Sequence, residues 1–152
     1  MQGARFILTA TTANFADVAD STSATIGPVK MAGGVAIAKS LYVGAAIVAT
    51  GDITAFSDIR LKKNISTISN AVGIVKNMRG VRFENILTGE KSVGLIAQEV
   101  AQILPELVRE NKSNDDTILS VAYGNVVGVL VECIKELHAR IEVLEKLAHP
   151  IP

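Results

Sequence analysis

Only one cysteine, Cys133, occurs in the 152 residues, and no Cys/His cluster accompanies it. A disulfide framework is thereby excluded, and a structural zinc site has no ligand set. Tryptophan is absent and aromatics make up 4% of the chain, so the large side chains that fill a thick core are missing. Neither sign of charge dominates: 15 basic and 15 acidic residues give a formal net charge of zero. That balance removes the electrostatic case for nucleic acid or an anionic membrane as the main partner. Long apolar runs are missing too. After Met1-Gln2-Gly3-Ala4-Arg5 only Phe6-Ile7-Leu8 is strongly apolar, too short for a secretory signal core. The stretch from Gly33 to Thr50 is apolar but interrupted by Lys39 and Ser40, whereas a spanning helix needs roughly 20 nearly unbroken apolar residues. The sequence predicts no membrane insertion, no cofactor and no metal.

What is present divides the chain in two. Residues 1–56 hold three basic and three acidic groups, and residues 57–152 hold twelve of each. The break falls at Phe56-Ser57, which predicts two domains, 1–56 and 57–152. Ala, Val, Ile and Gly are plentiful, a composition suited to narrow, repetitive packing.

The front segment carries a six-residue register. Val29, Val35, Leu41, Ile47 and Ile53 form one line, and Met31, Ile37, Val43, Ala49 and Ala55 a second. Six is a multiple of the strand period of two and does not match the helical 3.6, so both lines can face one way along extended chain. Gly33, Gly34, Gly44, Ala45 and Gly51 let backbones turn or approach closely. Repeats of this kind must stack or wind around partners to bury an apolar edge. The pattern predicts a β-rich fibre segment, interwoven between chains, with Leu41, Ile47 and Ile53 facing a shared interior. An antiparallel meander is the alternative, but Val29–Ala55 contains no Asn-Gly or Asp-Gly hairpin signal. Residues 1–28 have no clear period.

Three landmarks follow in order: Ser57-Asp58-Ile59-Arg60-Leu61-Lys62-Lys63-Asn64-Ile65, then Val93-Gly94-Leu95-Ile96-Ala97-Gln98-Glu99-Val100 running on to Leu104-Pro105-Glu106-Leu107-Val108, then Leu119-Ser120-Val121-Ala122-Tyr123 leading into a heptad helix. Together they resemble the endosialidase-type intramolecular chaperone domain, a self-cleaving serine peptidase family found at the C-termini of phage tail fibres, tailspikes and endosialidases. The resemblance covers residues 57 to about 147. It implies an α+β fold, with a small chaperone domain ending in a long coiled-coil helix over about 119–147. It also implies a homotrimer whose chaperone templates its own upstream fibre segment and is then cut off at its N-terminal boundary. The family's Ser/Lys dyad falls on Ser57 and Lys62, placing the cleavage site among Phe56, Ser57 and Asp58. The implied location is the virion tail, with a host surface glycan or receptor as a candidate further partner. The segment ahead of the motif is short, so the chain is expected to be either part of a longer fibre or a small fibre protein.

The residues themselves add constraints. A lysine serves as base for a serine when burial or neighbouring cations disfavour its charged form, and Arg60 and Lys63 flank Lys62. Positions five apart point about 140° apart on a helix and to opposite faces of a strand. Ser57 and Lys62 can therefore meet only through a turn or across a subunit interface. Gly94–Val100 reads as a strand running into a helix that Pro105 stops near Leu104, with Gln98 and Glu99 in capping or surface packing. Asn111 to Thr117 reads as a loop. His138 and His149 lack partners at metal-ligand spacing, and Cys133 reads as a small packing residue.

The closing helix presents Val127, Leu130, Ile134, Leu137, Ile141 and Leu144 at alternating spacings of three and four, with Ile134 and Ile141 at a and the leucines at d. Arg140 at g and Glu145 at the next e are placed to pair between chains. Ile at a with Leu at d leans toward dimers, so the trimer expectation comes from the resemblance and the β fibre. Three functions follow: a trimerising chaperone that cuts itself once, an uncut fibre tip using the same fold as a permanent cap, and a hydrolase acting in trans. The last lacks any substrate-pocket motif or second acid/base pair.

Overall fold

The computed structural model describes residue 29, residues 31–113 and residues 116–148. The chain divides into two units, Met1–Ala55 and Phe56–Pro152. In the first, the described residues form no helix or strand within the single chain, and every one is exposed, including both lines of the six-residue register. Residues 1–28 and His149 lie outside the described residues.

The second unit is α+β. Helix α1 (Ala71–Asn77) is followed by strands β1 (Val81–Glu84) and β2 (Lys91–Gly94), helix α2 (Ala97–Ile103), a 3-10 turn at Pro105–Leu107, strands β3 (Val108–Ser113) and β4 (Asp116–Val121), and helix α3 (Tyr123–Ala148). β1 and β2 pair antiparallel, Val81 opposite Gly94 and Glu84 opposite Lys91. β3 and β4 form a separate antiparallel pair, Val108 opposite Val121 and Ser113 opposite Asp116. The two sheets do not merge.

Two boundaries differ from the sequence reading, for one reason. Within the segment expected as a loop, Asn111–Ser113 and Asp116–Thr117 are strand, and Leu119–Val121, expected as the start of the long helix, completes β4. Cross-strand pairing outweighs the polar composition: Asn111 Nδ2 donates to Ser120 Oγ at 2.8 Å and to the Ile118 carbonyl at 3.3 Å. The Ala122 N–H then donates to the Leu107 carbonyl at 2.8 Å, and the helix begins at Tyr123.

The core is small. Among the described residues the buried apolar side chains are Ala71, Val100, Leu107, Val129 and Cys133. Val129 and Cys133 are the buried residues of α3 and share a face with Glu136, which bonds α1, and Cys133 is a free thiol. A core of this size leaves a domain dependent on further burial. Capping of α1 comes from a distance. Asn70 occupies its N-cap with φ 54° and makes no side-chain cap. Instead Glu136 of α3 accepts from the Ala71 and Val72 N–H groups at 2.8 and 3.0 Å, satisfying two donors that a helix start leaves open. These bonds hold the Glu136 carboxyl below the ordinary glutamate value, and Arg140 adds to the effect. No helix among the described residues is long and apolar enough to cross a membrane.

Candidate functional site

Ser57 and Lys62 meet within one chain. Asp58 is extended, Ile59–Leu61 wind into a single 3-10 turn, and Lys62 returns to extended backbone. The turn reverses the direction that a strand or helix would impose and brings Lys62 Nζ to 2.8 Å from Ser57 Oγ, the ammonium donating. Of the two routes the spacing allowed, the chain uses the turn. Bringing the pair together therefore needs no second subunit.

The cationic surroundings differ from the sequence reading. Arg60 is not a free cation beside Lys62. Its Nε donates to both Asp58 carboxylate oxygens at 3.0 and 3.1 Å, and its Nη2 donates to Oδ2 at 2.6 Å. Asp58 is held below its ordinary value chiefly by this side-chain pairing, and Arg60 is raised by the same contact. Lys62 and Ser57 are exposed in the single chain. Phe56, on the other side of the expected cleavage point, is almost wholly exposed, and with Asp58, Arg60 and Leu61 it lines a shallow open pocket. The peptide bonds on both sides of Ser57 lie on accessible chain.

The second set of expected residues lies on α3. Val127, Leu130, Ile134, Leu137, Ile141 and Leu144 are all exposed, between 43% and 65%. At 100° per residue this line sits about 100° around the helix from the Val129–Cys133–Glu136 face that holds α1. Helix α3 thus has one apolar face engaged within the chain and a second open along its length. His138 makes only a 3.4 Å contact with Glu142, one turn on.

Several contacts that shape the domain carried no sequence signal. Tyr123 ties the second landmark to the third: its hydroxyl accepts from the Leu95 N–H at 2.9 Å. A Cβ at Gly94 would lie 2.5 Å from that oxygen, so a residue without a side chain is needed there. Glu99 pairs with Arg79 through both of its oxygens, one at 3.2 Å, joining α2 to the segment before β1. Each pair is separated by 20 or more positions, beyond the reach of local periodicity.

Residues 57–109 match the protein family described as chaperone of endosialidase, the match beginning at Ser57. Relatives agree. The chain is 39% identical over 95 residues to the long tail fiber protein Gp37 of Enterobacteria phage K3, covering 59% of this chain and 8% of that protein. Identity is also 39% over 95 residues to Gp37 of Enterobacteria phage T2, covering 59% of this chain and 7% of the relative. With Gp37 of Salmonella phage S16 it is 28% over 103 residues, covering 62% and 14% respectively. The chain spans less than a tenth of the length of the first two fibre proteins.

Proposed function

We propose that residues 57–152 act as the C-terminal intramolecular chaperone of a phage tail fibre, assembling a homotrimer and then releasing themselves by one self-cleavage beside Ser57. The observation that carries the chemistry is the 2.8 Å contact between Lys62 Nζ and Ser57 Oγ, at the first residue of the matched family segment. The open apolar line on α3 supports assembly: three such helices, seam to seam, would cover it as a parallel bundle. The exposed register of residues 29–55 supports a client that gains its interior only between chains. The virion tail follows as the location.

The proposed step is an N-to-O acyl shift. Neutral Lys62 takes the Ser57 hydroxyl proton, and Oγ attacks the Phe56 carbonyl carbon. The Phe56–Ser57 C–N bond breaks, and the departing Ser57 amine takes up a proton. Water then hydrolyses the Phe56–Oγ ester, leaving a Phe56 carboxylate on the fibre and Ser57 at the start of the released domain. Ser57 lies covalently beside this carbonyl and needs no separate binding pocket. The Ser57–Asp58 bond is the second choice.

Coupling to assembly comes from Lys62. A lysine becomes a base when burial or like charge disfavours its ammonium form, and Lys62 is exposed in the single chain with Arg60 already neutralised. Packing three chains around the boundary supplies the missing desolvation. The same exposure is what favours the second reading, an uncut and permanent cap at a receptor-binding fibre tip. Mass spectrometry of the purified trimer decides: a released domain beginning at Ser57 supports the acyl shift, one beginning at Asp58 moves the cut, and an intact chain after days leaves the permanent cap.

A further inference from the structure

The bend that joins Ser57 to Lys62 has a visible cause. Two backbone hydrogen bonds close it, from Leu61 N–H to the Asp58 carbonyl at 3.1 Å and from Lys62 N–H to the Ile59 carbonyl at 3.0 Å. No residue of the turn is buried, and Ile59 and Leu61 are exposed. Packing therefore does not hold it, and a first turn that fixes several dihedrals for so few bonds is unfavourable alone. What remains is the Asp58 carboxylate. It caps the turn by accepting from the Arg60 N–H at 2.8 Å, and the same two oxygens bind the Arg60 guanidinium. Backbone and side chain of one residue are thus held by one carboxylate, which fixes the direction in which Lys62 leaves the turn.

We infer that the Asp58–Arg60 pair is a positioning device: it locks the turn that carries Lys62 Nζ back onto Ser57 Oγ while touching neither reacting atom. This rests on the Ser57–Lys62 chemistry proposed above. Exposed ion pairs stabilise folds little, so its loss should spare the domain and act on geometry. Misplacing a reacting group by about 1 Å costs on the order of 100-fold in rate.

A thiol at position 57 reads the contact without requiring cleavage. An ammonium neighbour makes a thiol ionise more readily, and Cys133 is buried, so alkylation by iodoacetamide reports on the introduced group. In Ser57→Cys, alkylation should set in at lower pH than in Ser57→Cys/Lys62→Met. Adding Asp58→Ala to Ser57→Cys separates two effects of opposite sign. Loss of a neighbouring negative charge alone would lower the onset pH, whereas loss of position raises it toward that of the Lys62→Met chain. The positioning role predicts the rise. It also predicts self-cleavage slowed about 10- to 100-fold in Asp58→Ala alone, at unchanged trimer mass. In Arg60→Ala, millimolar guanidinium should restore part of the cleavage rate. An onset that stays put or falls on Asp58→Ala overturns the proposal, as does an onset indifferent to Lys62→Met. A wild-type chain that never cuts itself counts against the self-cleavage reading alone, because the thiol titration still decides whether the pair positions Lys62.

Discussion

Replacing Ile134 with aspartate separates assembly from folding. Ile134 is 65% exposed in the single chain, so the new carboxylate is solvated there and the domain should keep its fold. In a three-helix seam the same position is enclosed by its two symmetry copies. Full burial of an isoleucine is worth about 1.5–3 kcal/mol, and roughly 1 kcal/mol per chain remains to be gained from the exposed part. An unpartnered carboxylate buried instead costs several kcal/mol more per chain. Even at about 3 kcal/mol for each of three chains, the trimer loses about 9 kcal/mol, a roughly million-fold weaker association at 1.4 kcal/mol per tenfold. In the uncut Ser57→Ala background, sedimentation equilibrium should give about 48 kDa for the parent, three times the 16.0 kDa chain, and the single-chain mass for Ile134→Asp with its helical circular dichroism retained. By contrast the Val129→Asp chain should lose the fold itself, because Val129 is 1% exposed in the single chain. If Ile134→Asp sediments like the parent, the line from Val127 to Leu144 is not the seam. A parent sedimenting as a dimer would contradict the trimer and vindicate the bare heptad pattern.

Three further outcomes follow from particular contacts. Ile47→Asp places a charge in the six-residue line and should block fibre assembly, read by electron microscopy and melting; normal assembly would mean that the line faces solvent. Glu136 is held below its ordinary value by the α1 N–H groups, so its stabilisation is fully present above the unfolded glutamate range and is lost as pH falls through the lower folded value. The melting-temperature gap between wild type and Glu136→Gln should therefore narrow as pH falls through and below the ordinary glutamate range, and a gap independent of pH would refute the cap. Gly94→Ala should displace the Tyr123 hydroxyl from the Leu95 N–H and cost about 1–2 kcal/mol in urea unfolding; no loss on top of Tyr123→Phe would show that both act through that one bond.

The parts legible in the sequence are those written in local pattern. The strand-to-helix change between Gly94 and Ala97, the stop before Pro105 and the long final helix all follow from periodicity and breakers, and the structure has them. The α+β class and the family segment were visible in the three landmarks. Asn111–Ser113 was misread because its polarity resembles a loop, while its strand character comes from a partner, Ile118 opposite Asn111. The cap on α1 was invisible for the same reason: Glu136 lies 65 positions from Ala71. At the site, Ser57 and Lys62 were named from the motif. The Asp58–Arg60 pair between them was not, since Arg60 was read as a cation beside Lys62 and Asp58 only as part of the cleavage site.

The coupling of cleavage to assembly is the central claim, and a denaturing gel across a dilution series tests it most directly. Above the trimer's dissociation range the chain should resolve over time into fragments of roughly 6 and 10 kDa, at about 0.11 kDa per residue. Below that range it should stay as one band near 16.0 kDa, with Ser57→Ala and Lys62→Ala uncut at every concentration. Because Lys62 already touches Ser57 within one chain, the opposing result is well defined. The same fraction cut at all dilutions would make cleavage a property of the turn alone, and no cut at any dilution would leave the domain a permanent cap.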